Sequence, residues 1–362
     1  MGSNPTPGIT EDVQKQVGMD AFAEAETLVD EFGPRPPGSD AERRAAQHLC
    51  RRLDGLGREA HVEGFSVWPA WATGYAINAG IAIVGSVVAV SSAKLGTGLV
   101  LLAAALTFLD LAGILPTTRR LLGRRASQNV VSWGDRELPG DLLLVAHYDS
   151  GPLRTHPLRP MFLAMLVVLA CCVLRVAGME GTALTIVQFI PTVALIVYVA
   201  LLLDIALSPA APGENDNASG VAVVLSLAER LDELGYFGVH VLFTGSQKAM
   251  AQGMRAFLQT HRKQLKPSDT VVLNLDAVGG GELRETKKEG PLLTVSSHPQ
   301  LMGNFETDAF ANREPSDGYA AASAGLPSVT LSSTENRLDE DNLAEAEDVC
   351  IELIQRLDEE LS

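Results

Sequence analysis

The chain has 362 residues, of which 46% are hydrophobic, 5% aromatic and 20% charged, a mixture that points to soluble sequence interleaved with membrane sequence. Its 44 acidic and 28 basic residues give a formal charge of -16, the wrong sign for nucleic-acid phosphates, so no nucleic-acid partner is expected. The four cysteines have no CxxC spacing, and the adjacent pair Cys171–Cys172 sits in an apolar run, which excludes a disulfide framework or a cysteine zinc knuckle.

The opening MGSNPTPGITEDVQKQ has neither a charged n-region nor an apolar h-region, so no cleavable signal is expected there. Residues 10–32 place Val13, Val17, Phe22, Ala25, Leu28 and Val29 at helical spacing before GPRPPGSD breaks the pattern. A second helix is predicted over about 40–57, and a short strand near 59–67. Two apolar runs follow, Thr73–Ser91 and Leu95–Leu115, separated by a Lys-Gly turn. A second pair spans Met161–Ala177 and Ala183–Leu207. Each run approaches the ~20 residues that cross a ~30 Å hydrocarbon core, so both pairs read as transmembrane hairpins. Arg119, Arg120, Arg124 and Arg125 follow the first hairpin and Arg154 and Arg159 precede the second, whereas each far turn holds a single Lys or Arg. This bias puts both termini and the soluble part on the cytoplasmic side.

Between and after the hairpins, apolar strand-like segments alternate with helices. They are NVVSWG, DLLLVAHYD, a helix over about 217–234, VHVLFTG, a helix over about 249–264, TVVLNLDAVG, LLTVSS, a helix near 299–312, PSVTLSS and a helix over about 342–361. Continuous apolar strands separated by helices predict an α/β domain with a mixed, mostly parallel sheet covered on both faces. Residues 1–70, 117–159 and 208–362 are then pieces of one discontinuous domain, with transmembrane hairpins at 71–116 and 160–207.

His147 and Asp149 lie just beyond the carboxyl end of a buried strand, where open α/β sheets build their sites. Asp216 leads into a helix and Asp276 ends another apolar strand. A histidine converging with two aspartates offers a nitrogen and oxygen donor set suited to Zn²⁺. Taken singly each has a plain explanation: a structural histidine, a helix N-cap for Asp216, a turn-capping carboxylate for Asp276.

In their order, GPRPPGSDAERRAAQHL, SQNVV, AHYDS, DNASGVAVVLSLAERL, VLFTGSQKAMAQGMRAFL, NLDAVG and SDGYAAASAGLPSVTL resemble the M28 zinc aminopeptidase family along most of the non-membrane chain. That resemblance implies that His147, Asp216 and Asp276 are the ligands of one metal, with Asp216 bridging to a second and Asp149 orienting His147. Where the family carries two consecutive glutamates, a general base and a ligand of the second metal, this chain has Gln247 and Lys248. The family's last histidine ligand has no counterpart either, since no histidine follows His298. A glutamine cannot take up a proton at useful pH, and an ammonium repels a divalent ion.

These departures set the expectations for function. The first is a membrane-anchored, inactive or strongly impaired peptidase relative that works as a binding or assembly module, with Lys248 near Asp216 replacing the charge of the second metal. The alternative is an active single-zinc hydrolase with Asp149, Glu214 or Glu335 as base. An oligomeric transport component, resting on Asn78, Asp110, Arg175 and Asp204, is a minor third. One zinc ion or none is expected; the expected partners are the lipid bilayer and a second copy of the chain or another membrane protein.

Overall fold

The computed structural model describes residues 19–231, 234–303 and 310–362; Val13 and Val17 lie outside them. Helix α1 (Ala21–Phe32) starts where the Asp20 carboxylate accepts the Ala23 amide at 3.1 Å. Helix α2 (Asp40–Gly55) starts where the Ser39 hydroxyl accepts the Glu42 amide at 3.1 Å. Strand β1 (Ala60–Val67) leads to helices α3 (Trp71–Ser91) and α4 (Ala93–Leu111), and the chain returns as β2 (Arg125–Ser132) and β3 (Gly140–His147). The break between α3 and α4 falls at Ser92, not at the expected Lys-Gly turn: Lys94 and Gly96 are already helical. Helices α5 (Arg159–Val176) and α6 (Thr182–Leu207) precede α7 (Gly220–Arg230), β4 (Phe237–Thr244), α8 (Gln252–His261), β5 (Thr270–Leu275) and β6 (Leu283–Glu289). The chain ends with β7 (Val295–Ser296), β8 (Phe310–Asn312), α9 (Asp317–Ser323), β9 (Ser328–Ser333) and α10 (Glu340–Leu361).

The nine strands form one mixed sheet, in order β1-β2-β4-β3-β5-β9-β6-β7 with β8 paired to β6. The central run β4-β3-β5-β9 is parallel, while β1, β2 and β6 join antiparallel. Strand β3 shows why the centre is apolar throughout. Leu142, Leu144 and Ala146 pack with α1, α2, α7 and α10 on one face, and Leu143 and Val145 pack with α8 and α9 on the other. A strand buried on both faces has no polar side to alternate with.

The expected helix near 299–312 is replaced by a single 3-10 turn, Pro299–Leu301, and strand β8, with 304–309 outside the described residues. Strand β6 and helix α9 went unforeseen. The sequence LRETKKE of β6 buries Glu285, Thr286 and Glu289, so its buried positions are mostly polar. Helix α9 begins only because the Ser316 hydroxyl accepts the Tyr319 amide at 2.9 Å.

The four apolar helices are inserted as two pairs: α3 and α4 between β1 and β2, and α5 and α6 between β3 and α7. Both insertions close at their bases. Val67 pairs with Arg125 across β1 and β2, and Pro152 bridges Ala210, with the Ala211 amide donating to the Gly151 carbonyl at 2.8 Å. Within the bundle, Gly96 lies against Ala89 so closely that a Cβ there would sit 2.3 Å from the Ala89 nitrogen. Buried amides tie the helices together: Asn78 donates to Thr107 at 3.2 Å, and Gln188 donates to the Ser86 carbonyl at 2.7 Å. All four helices are long and apolar enough to cross a membrane.

The bundle rests on the α/β domain through the segment after β4. Met250 packs into the bundle core, Arg119 donates to the Ala249 carbonyl at 2.8 Å, and Arg255 donates to the Gly113 carbonyl at 3.2 Å. Arg119 is itself buried in an ion pair with Asp110 at 2.8 Å.

Candidate functional site

The parallel register explains how His147 meets Asp276. Val145 pairs with Asn274, so two residues further on the chain-terminal ends of β3 and β5 bring 147 beside 276. The His147 Nε2 lies 3.3 Å from Asp276 Oδ1 and 3.0 Å from Asp216 Oδ1. These three donor atoms all lie within 4.8 Å of one another.

Asp216 sits in the turn Glu214–Ser219, entered through Gly213 at a φ of 77°, and two asparagines tie that turn to the loop carrying Asp276. Asn217 Oδ1 accepts the Ala277 amide at 2.8 Å and the Gly220 amide at 3.1 Å, and its Nδ2 donates to the Leu275 carbonyl at 2.8 Å. Asn215 Oδ1 accepts the Gly279 amide at 2.6 Å, and its Nδ2 donates to the Glu335 carbonyl at 2.6 Å. Asn217 therefore binds the amide at the start of α7, and Asp216 is not the cap that its position suggested.

Asp149 does more than face His147. The ring Nδ1–H donates to the Asp149 main-chain carbonyl at 3.0 Å, with the carboxylate 3.4 Å away. The carboxylate spans the next turn, accepting the Gln247 amide at 2.9 Å on Oδ1 and the Lys248 amide at 2.9 Å on Oδ2. Glu42 holds the same turn one residue earlier, accepting the Ser246 amide at 2.8 Å and its hydroxyl at 2.9 Å. Ser246, Met250 and Ala251 all have positive φ, a strained conformation that these main-chain bonds sustain.

The Lys248 Nζ lies 2.7 Å from Asp216 Oδ1. Burial opposes its charge, but Asp216, Asp276 and Glu314 outweigh burial and raise its pKa above the usual lysine range. Burial likewise opposes ionisation of Asp216, yet Lys248 and His147 hold its carboxyl well below the usual range. For His147, burial and the Lys248 ammonium push the pKa down, but Asp149, Asp216 and Asp276 prevail and raise it well above normal. Gln247 is 3% exposed; its Nε2 donates to the Pro315 carbonyl at 3.1 Å, and its Oε1 has no partner.

The donor set fits one divalent cation. Asp216 Oδ1 is buried between the Lys248 ammonium and the His147 imidazole. With that imidazole nitrogen and an Asp276 oxygen it converges on one point, a ligand set suited to zinc. The other side of the Asp216 oxygen faces Lys248, so the residues do not fit a second cation there.

A cavity of about 490 Å³ opens beside Lys248, with Glu214, Asp216, Gln247 and Glu314 on its wall. Of the three alternative bases, only Glu214 borders it. Asp149 is committed to two amides, and Glu335 pairs with Arg337 at 3.0 Å with its side chain 59% exposed. Sequence reasoning missed Arg35 as well. Its fully buried guanidinium donates to the carbonyls of Tyr148 (2.7 Å), Gly33 (2.7 Å), Pro212 (3.0 Å) and Gly213 (3.2 Å), pinning the loops that carry His147 and Asp216.

A model of peptidase family M28 matches residues 129–342. No curated protein sequence matches the chain significantly. Among solved structures, the zinc aminopeptidase BSAP of Bacillus subtilis superposes with a TM-score of 0.53 at 13% identity, over 93% of this chain and 94% of its own. A Zn-dependent exopeptidase from Parabacteroides distasonis gives 0.53 at 14% identity, over 93% and 97%. The glutaminyl cyclase of Bacteroides thetaiotaomicron gives 0.53 at 12% identity, over 93% and 96%. At such identities the likeness is one of fold.

Proposed function

The chain belongs to peptidase family M28, and we propose that it is a bilayer-anchored, catalytically weakened member that acts by binding. One observation carries this reading: Lys248 Nζ stands 2.7 Å from Asp216 Oδ1, at the position where the resemblance puts a carboxylate ligand of the second metal. An ammonium there supplies positive charge to Asp216 without a metal. Gln247, at the position of the family's general base, engages the Pro315 carbonyl and carries no titratable group. Loss of a general base lowers turnover by about 10² to 10⁴.

His147, Asp216 and Asp276 remain able to hold one zinc ion, with Asn215, Asn217 and Arg35 fixing the loops around them. A zinc ion bound there would supply Lewis acidity. Asp149, Asp216 and Asp276 raise the His147 pKa, so a cation binding at Nε2 competes with a proton there.

The membrane reading rests on helix length and composition. The four helices of 21, 19, 18 and 26 residues span about 32, 29, 27 and 39 Å, against a hydrocarbon core of ~30 Å. Arginines flank the domain side, which favours a cytoplasmic placement of that side, although Arg119 is committed to Asp110 and Ala249. The bundle groups that raised the transport reading have partners: Asp110 with Arg119, Asp204 with Arg154, Arg175 with Gln188 and Asn78 with Thr107. That favours an anchor over a conducting path.

The second reading, a single-zinc hydrolase using Glu214, draws on the convergence of His147, Asp216 and Asp276 and on Glu214 at the cavity wall. Metal analysis of the purified protein combined with aminopeptidase assays on aminoacyl substrates separates the two. The binding reading expects at most one zinc and turnover either absent or about 10²- to 10⁴-fold below that of an enzyme with its general base. Turnover within about tenfold of such an enzyme that disappears in His147→Ala would overturn it in favour of the second.

A further inference from the structure

The turn that carries Gln247 and Lys248 is held from two sides, by different parts of the molecule. On the domain side, Glu42 and Asp149 take the amides of Ser246, Gln247 and Lys248. On the bundle side, the Ala249 carbonyl accepts Arg119 at 2.8 Å, and Met250 lodges its side chain in the bundle core with the Tyr75 hydroxyl 3.9 Å from its sulfur. Gln252 Nε2 also donates to the Ala249 carbonyl, at 2.7 Å. Lys248 sits where the two holds meet.

The backbone around it is strained. Ser246, Met250 and Ala251 stand at φ of 56°, 75° and 53°, a region that residues with a Cβ avoid and that persists only where the surroundings over-determine it. The turn is also stiff, because the Ala249 amide donates to the Ser246 carbonyl at 3.2 Å and the Ala251 amide to the Gln247 carbonyl at 2.8 Å. A displacement of Ala249 is therefore passed to Lys248.

Arg119 is the hold that ties this turn to the helices. It is 3% exposed, and its guanidinium joins three pieces of chain: Asp110 in α4 at 2.8 Å, the Ala249 carbonyl, and the Trp68 carbonyl just before α3 at 3.4 Å. Helix α3 packs on it so closely that a Cβ at Gly74 would lie 3.3 Å from the Arg119 nitrogen. A buried guanidinium keeps its counter-ion, so Arg119 follows Asp110, and Ala249 follows Arg119.

We propose that Arg119 is a positioning residue through which the helical bundle aims Lys248 at Asp216, and so sets how strongly the His147, Asp216 and Asp276 group takes a cation. With the clamp intact, the ammonium stands 2.7 Å from Asp216 Oδ1 and competes with a metal ion. With the clamp released, the strained turn relaxes and the ammonium withdraws. The inference rests on the reading of Lys248 as the stand-in for a second cation, and it does not depend on a bilayer.

The test is calorimetric zinc titration of the purified full chain and its variants. Asp110→Asn combined with Arg119→Met removes the clamp without changing the net charge or leaving a buried ion alone. It should raise zinc affinity about threefold or more, whereas Lys248→Met should raise it about tenfold. All three substitutions together should add nothing to Lys248→Met, because the clamp acts only through the ammonium. A residue that merely supports the fold would weaken zinc binding, and would do so with or without Lys248. An unchanged or lower affinity in the clamp variant, or the same rise in both backgrounds, overturns the inference and leaves the reading of Lys248 standing. Lys248→Met without effect, including a chain that takes up no zinc in any form, overturns both. Should the clamp variant fail to fold, Met250→Ala frees the turn from the bundle core through its other contact and carries the same expectations.

Discussion

The two halves of the site are built by opposite means. The half holding His147, Asp216 and Asp276 is positioned by strand register and by asparagine side chains that reach across loops. The half holding Gln247 and Lys248 is positioned through its main chain: Asp149 and Glu42 take its amides, and Arg119 takes its Ala249 carbonyl. A turn held by its backbone depends less on which side chains it carries. Residues 247 and 248 can therefore vary while the turn persists, whereas the first half couples its chemistry to its architecture.

Three perturbations of decreasing size test this contrast. The largest is Asp149→Ala, which strands two buried amides and withdraws a carboxylate from His147. At about 1–3 kcal/mol per unsatisfied group, the loss should reach roughly 3–5 kcal/mol in denaturant unfolding of the purified protein. A loss under about 1 kcal/mol would mean that the turn is held by something other than its main chain. Next comes pH. Burial raises the Glu289 carboxyl to about 7, against the Ser316 and Thr330 hydroxyls that donate to it. The folded state therefore keeps this proton where the unfolded chain has lost it. Stability is full below the unfolded value of 4.5, falls as pH rises, and levels off above about 7 after a loss of roughly 3 kcal/mol. Glu289→Gln should flatten that part of the profile; an unchanged slope would assign it to another acid, such as Asp317, which burial also raises to about 7. Third is Asn217→Ala, which removes three hydrogen bonds, two of them between the loops of Asp216 and Asp276 and one to the amide that starts α7. It should cost about 2 kcal/mol and weaken zinc binding by roughly 10- to 100-fold, as read by calorimetric titration.

The central strands could be read from sequence because burial on both faces leaves DLLLVAH, VHVLFT and TVVLNL almost wholly apolar. The four apolar helices could be read from length and composition, although half or more of each is not buried within the protein. Strand β6 could not, because its buried positions include Glu285, Thr286 and Glu289. The start of α8 was placed too early because Met250 and Ala251 adopt a left-handed backbone that their side chains do not announce. Arg35 and Asp149 are legible as residues and illegible as roles, since each acts on main-chain atoms of loops distant in sequence. The same limit hid the coupling of Met250 to the bundle.

The smallest expected effect on folding is the most informative about the site. Lys248→Met removes the ion pair with Asp216, whose side chain is 40% exposed, so solvent screening limits the cost to about 1 kcal/mol or less. The turn itself stays in place because its amides bind Asp149 and not the lysine. Removing the ammonium nevertheless leaves Asp216, His147 and Asp276 without a competing cation, so zinc affinity should rise by about tenfold or more, equivalent to ~1.4 kcal/mol. Lys248→Arg keeps the charge and should leave zinc affinity near that of the native chain. If Lys248→Met instead unfolds the protein, the turn depends on its side chain and the contrast between the two halves fails. If folding is intact and zinc affinity is unchanged, Lys248 does not occupy the electrostatic position of a second cation.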